Sequence, residues 1–148
     1  MAYNPNNPNG QTTAANSAPV VLASNVTSSF SIAEAATGGA TVYHLVSANS
    51  NNLTNFKNSS GKVTGWYIYN SNGSARKLNF HNLASAPATA ATSLYFSIVI
   101  PALSAANCPF PAGIDFSTGI SISTTSGLTD ADTGVVGTSD LIINIFYK

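Results

Sequence analysis

Residues 62–82, K-V-T-G-W-Y-I-Y-N-S-N-G-S-A-R-K-L-N-F-H-N, constrain the fold more than any other part of the chain. Two runs rich in aromatic and aliphatic residues flank Asn72-Gly73. That pair best tolerates positive φ at both central positions of a two-residue type I′ loop. The pattern predicts a β-hairpin in which Tyr69 faces Arg76, Tyr67 faces Leu78 and Gly65 faces Phe80. Val63, Tyr67, Tyr69, Leu78 and Phe80 then share one face, with Phe80 covering the bare backbone at Gly65. Trp66 and Ile68 fall on the other face beside Lys77, Asn79 and His81. A face that is half apolar and half polar suits a sheet meeting another subunit, so these five are the expected interface residues.

The rest of the chain repeats the strand pattern. Residues 41–47 (T-V-Y-H-L-V-S) alternate Val42, His44 and Val46 against Tyr43 and Leu45. His44, on an otherwise apolar face, reads as a hydrogen-bonded core or interface histidine. A short strand is expected over 53–58, between turns at 49–52 and 59–61. Residues 84–92 form a loop of small residues, and 93–100 a strand with Leu94, Phe96, Ile98 and Ile100 inward. Residues 102–113 hold Pro109 and Pro111 and read as a long irregular connection. Residues 119–125 alternate strictly, burying Ile120 and Ile122. Residues 140–148 (D-L-I-I-N-I-F-Y-K) are apolar on both faces apart from Asn144, which fits an interior strand covered on both sides.

Short strands at roughly 8–12-residue spacing with almost no helix predict an all-β chain, an antiparallel β-sandwich or a jelly-roll-like fold. That domain is expected over 31–148, with a brief helical turn at 31–36. Residues 1–30 carry neither period and are interrupted by Pro5, Pro8 and Pro19. They read as an extended N-terminal arm, anchored on a neighbour through Pro19, Val20, Val21 and Leu22.

Charged residues make up only 7% of the chain and the formal net charge is zero, against about 25% charged in ordinary soluble domains. Little repulsion then keeps copies apart, so a homo-oligomer is expected. Five Lys and Arg residues scattered along the sequence argue against nucleic acid as a partner. No apolar run approaches the ~20 residues of a membrane-spanning helix. The first ten residues carry neither a basic nor an apolar segment, so no signal peptide is expected and synthesis is assigned to a cytoplasm. A single cysteine, Cys108, rules out an internal disulfide and reads as a structural thiol.

Chemistry-bearing groups are few: two histidines, Glu34, four aspartates and one thiol. None falls in a recognised catalytic or phosphate-binding motif. No catalytic residue and no cofactor is therefore expected. Asp130 and Asp132, in L-T-D-A-D-T-G, loosely follow a calcium loop but lack its closing glutamate. They read as turn residues capping their own backbone, and no metal is expected.

Four pieces of the chain resemble a family of small virion structural proteins of tailed bacteriophages. They are N-G-Q-T-T-A-A-N-S-A-P-V-V-L-A-S at 9–24, G-W-Y-I-Y-N at 65–70, D-F-S-T-G-I at 115–120 and D-L-I-I-N-I-F-Y-K at 140–148. The resemblance implies a particle component, foremost a capsid decoration (cement) protein on the outer shell. Its partners would be itself, with a homotrimer at a local threefold axis the symmetry considered, and the major capsid protein. A tail, fibre or baseplate component is the alternative. A carbohydrate-binding β-sandwich module, presenting Trp66, Tyr67 and Tyr69 as an aromatic platform, is a second.

Overall fold

A computed structural model describes residues 39–148, and no helix occurs among them. The expectations for the arm, its Pro19–Leu22 anchor and the turn at 31–36 fall outside these residues. Eight strands follow one another: β1 (Thr41–Val46), β2 (Thr54–Lys57), β3 (Gly61–Asn70), β4 (Arg76–Asn82), β5 (Leu94–Ile100), β6 (Ser104–Phe116), β7 (Ile120–Thr125) and β8 (Leu141–Tyr147). They form two antiparallel four-stranded sheets, ordered β1-β8-β3-β6 and β2-β7-β4-β5. First pairs with last, second with seventh, third with sixth and fourth with fifth. That nesting is one long hairpin wound across two sheets, which makes the sandwich a jelly roll.

The winding overturns the hairpin expected at Asn72-Gly73. β3 lies between β8 and β6, while β4 lies in the other sheet between β7 and β5. The link between them carries the chain across the sandwich instead of turning it back. Neither Asn72 nor Gly73 has positive φ; Asn72 instead accepts from Ser74 N at 2.9 Å and donates to Asp140 Oδ1 at 3.0 Å. The apolar C-terminal strand decides the competition. β3 pairs along nearly its whole length with β8 on one side and β6 on the other, twice the ladder that one turn of Asn-Gly would give it.

Residues 102–113 are not a connection either, because most of them belong to the long edge strand β6. Proline is tolerated there because no strand lies beyond to receive its missing N–H. Pro109 pairs with Gly65 and Ile114 with Val63, so five steps along β6 answer two along β3. The surplus bulges out around Pro111 and closes at Gly113, whose φ of 75° suits glycine. This irregularity also shifts the facing of β3. Val63 and Trp66 both point inward, and Tyr67 and Tyr69 point out.

Between the sheets lie Val63, Ile68, Leu78, Phe80, Ile100, Phe116, Ile120, Ile122, Leu141, Ile143 and Ile145, all essentially inaccessible. An aromatic cluster fills one part of this core. The rings of Phe80 and Phe96 stack at 4.5 Å, and Trp66 lies 6.5 Å from the first and 6.3 Å from the second. A second cluster joins the sheets through β1 and β2, with Tyr43 stacked on Phe56 at 4.4 Å.

On the outer face of the β2-β7-β4-β5 sheet, β4 and β7 are covered by the chain's own loops. All six residues of β7 are buried, including Ser121, Ser123 and Thr125. The loop 83–93 sits on this face, held by side chains that bond its carbonyls. Asn55 reaches Leu83, Ser121 reaches Ser85, and Asn79 reaches Ala90. His81 Nδ1 lies 2.7 Å from the Thr92 carbonyl and Nε2 lies 2.8 Å from Ser123 Oγ. A carbonyl only accepts, so Nδ1 carries the proton and Nε2 accepts from the hydroxyl.

Burial lowers the His81 pKa, although the carbonyls of Thr92 and Ser93 pull the other way. The folded protein therefore binds this proton less readily than the unfolded chain, whose histidine titrates near 6.5. Its contribution to stability is complete above about pH 6.5 and lost as pH falls toward the depressed folded value. Denaturant titrations at pH 7 and pH 5 should show lower stability at pH 5. His81→Gln, less stable at both, should flatten that slope.

Candidate functional site

The five residues expected at an interface do not share a face. Trp66 and Ile68 stand on the β1-β8-β3-β6 sheet and point into the core, where Ile68 is fully buried. Lys77, Asn79 and His81 stand on the opposite sheet and point away from the core, yet all three are at most 1% exposed. The loops 83–93 and 126–135 lie over them, so this polar set binds the protein's own chain. Lys77 Nζ bonds the Thr129 carbonyl at 3.2 Å and Asp130 Oδ1 at 2.5 Å. Asn79 Oδ1 has no hydrogen-bond donor among the described residues.

Asp132 Oδ1 accepts from the backbone N–H of Gly127 at 3.1 Å and of Gly134 at 2.9 Å, the self-capping expected of a turn aspartate. Asp130 meanwhile faces Lys77. Among the described residues no group of three or more His, Cys, Asp or Glu side chains gathers. The Ser123–His81 contact has the spacing of a nucleophile and its base. Both residues are 0% exposed, however. Their geometry explains how loop 83–93 is held.

The remaining broad surface is the outer face of the β1-β8-β3-β6 sheet. Strand register builds it in three rows. One row runs Val46, Ile142, Tyr69, Ala105. The next runs His44, Asn144, Tyr67, Asn107. The third runs Val42, Phe146, Gly65, Pro109. Val42 is 55% exposed, Val46 45%, Tyr67 44% and Ile142 36%. Not one of these twelve positions carries a charged side chain. His44, expected in a core or an interface, lies exposed here and its Nδ1 is 2.9 Å from Asn144 Oδ1. The ring of Phe146 leans over Gly65, where an added Cβ would sit 3.5 Å from it. The aromatic cover predicted for Gly65 thus exists, supplied by Phe146 and not by Phe80.

β8 is interior to the sheet as expected, but its outward residues Ile142, Asn144 and Phe146 have no layer of described chain above them. Four strands at ~4.8 Å spacing and three rows at ~6.8 Å cover about 400 Å². Ordinary sandwiches place polar residues on such a face. Here β4 and β7 of one outer face are covered by the chain's own loops, and the other face carries two largely apolar rows on either side of a polar, uncharged one. That asymmetry makes the bare face the candidate site. Alternation in β1 and β8 signalled it: the Val42/His44/Val46 set was legible, but pairing it with Tyr67 and Tyr69 needed the strand order.

One trough, of about 680 Å³, opens at the sandwich end between Lys62, Asn82, Tyr95, Asp115 and Phe116. Its ion pair, Lys62 with Asp115 at 3.2 Å, is solvent-exposed and self-satisfied. Comparisons with protein-family models, curated proteins and solved structures return no match.

Proposed function

We propose that this chain is a non-enzymatic bacteriophage virion structural protein. Within that class we assign it as a capsid decoration (cement) protein, made in the host cytoplasm and placed on the capsid surface. It associates with itself and with the major capsid protein, bridging neighbouring capsomers. The observation that carries this reading is the bare, uncharged β1-β8-β3-β6 face beside an opposite sheet whose central strands, β4 and β7, are covered by the chain's own loops. A shell opens only when each bridge across it has broken, so many weak copies stabilise it by mass action and avidity. Scarce charge suits that task, because unpaired charges trapped between packed copies are costly. The jelly roll supports the reading by analogy of architecture, since it recurs in viral capsid domains. The sequence resemblance points the same way. The contact surface differs from the one first expected, passing from Trp66, Ile68, Lys77, Asn79 and His81 to the three outward rows.

The test is immunogold electron microscopy of purified phage particles with antibody raised against this chain. Label spread over the head is the expected result. Label confined to the tail or to one vertex would favour the tail, fibre or baseplate alternative. Unlabelled particles would remove the proposal.

A further inference from the structure

We infer that the bare face is occupied by a second copy of this chain, laid sheet to sheet about a twofold axis that runs parallel to the strands. The inference rests on reading that face as a contact surface, and it adds the partner and the symmetry. Register supplies the argument. The two edges of the sheet differ in bulk. β1 and β8 present Val42, His44, Val46, Ile142, Asn144 and Phe146, and β6 presents only Ala105, Asn107 and Pro109. β3 stands between, with Tyr67, Tyr69 and Gly65.

A copy turned over about an axis along the strands keeps each row against its own kind and exchanges the two halves. β1 then lies over β6 of the second copy, and β8 over its β3. Val46 meets Ala105, His44 meets Asn107 and Val42 meets Pro109. Ile142 lies over Tyr69, and Asn144 over the Tyr67 ring. The two Phe146 rings, each leaning over its own Gly65, come together near the axis. Large residues sit on small ones where β1 lies over β6 and where Phe146 lies over Gly65, as interdigitated layers require. Polar groups of the middle row find polar groups, and apolar rows find apolar rows.

The other twofold, across the strands, sets β1 on β1 and β6 on β6. Bulk then meets bulk on one side, and Ala105, Asn107 and Pro109 leave a gap on the other. A self-complementary patch is what an isologous dimer needs, and only the first axis gives one. No like charges oppose one another in the rows; Lys62, Asp115 and Lys148 lie beyond the Val42 row, at the wet rim. The ~400 Å² of the face is about half of what each partner buries in a standard complex. The pair is therefore a weak one in solution, strengthened where copies are held close together. A twofold pair has two outward ends, which suits bridging two neighbouring capsomers.

The experiment uses full-length chains in a Cys108→Ala background, carrying tags of two lengths and a short bis-maleimide. Mixing His44→Cys chains with Asn107→Cys chains should give a cross-linked heterodimer, and neither variant alone should cross-link. Val46→Cys with Ala105→Cys should behave the same way. All four positions border the exposed face, and matching melting temperatures would show that the fold is kept. Cross-linking of His44→Cys chains to themselves, or no cross-link from either mixture, overturns the inference. Particle labelling separates the two ideas. A monomer that still decorates heads removes the twofold pair and leaves the function, and a dimer absent from particles does the reverse.

Discussion

Phe80→Ala is expected to lower the free energy of unfolding by about 3–5 kcal/mol, the range for deleting a fully buried ring. Phe80 has no exposed surface and sits where the two sheets meet. Its ring stacks on Phe96 at 4.5 Å, tilts against Phe116 at 6.1 Å and lies 6.5 Å from Trp66. Truncation opens a cavity between two packed sheets, whose backbone ladders hold its walls apart. Most of the transfer and cavity cost should therefore be felt. A shift of the urea midpoint with unchanged slope is the expected reading. A loss below about 1 kcal/mol would mean that the cluster is not the centre of the core. Trp66→Ser acts in the same cluster and should also destabilise the monomer.

Asp140→Ala is expected to cost about 3 kcal/mol, near the lower limit for removing one partner of a buried ion pair. Oδ2 accepts from Arg76 Nε at 2.8 Å and from the Gly137 N–H at 2.8 Å, and Oδ1 accepts from Asn72 Nδ2 at 3.0 Å. Both charged side chains are only 12% exposed. Asp140 thus ties the β3–β4 crossing, the start of β4 and the turn before β8 together, and its removal strands donors from all three. Burial alone would raise its pKa, but the bonds from Asn72, Gly137 and Arg76 outweigh burial and hold it below the usual carboxylate value. The stabilisation is therefore present above the unfolded value of about 3.9 and lost as pH falls through the lower folded one. Acid titration of stability should show that loss in the wild type and a shallower one in Asp140→Ala.

Strand positions and inward faces were legible because period-two alternation survives burial. β1, β5, β7 and β8 fall where Val42, Phe96, Ile122 and Ile143 placed them. Strand partners were not legible. Asn72-Gly73 carries strong hairpin chemistry, yet the local turn competes with β8, which lies some seventy residues downstream and gives β3 a full-length partner. The prolines of β6 concealed an edge strand, since sequence does not tell an edge from a loop when the N–H goes unused. Face assignment failed at Trp66 because the irregularity between Val63 and Gly65 shifts alternation by one, which exchanges inside and outside. The loops over Lys77, Asn79 and His81 left no periodic trace. Their polar side chains looked like surface and are instead the ties that hold loop 83–93.

The account depends on the outward rows of the β1-β8-β3-β6 sheet being a contact surface. Sedimentation velocity of the full-length protein over a concentration series, beside Val46→Lys/Tyr67→Lys, tests that most directly. The wild type should associate progressively as concentration rises. The double variant, with its new charges on exposed positions, should keep its melting temperature and sediment as a monomer throughout. Equal association of both proteins, or a wild type monomeric at every concentration, would contradict it.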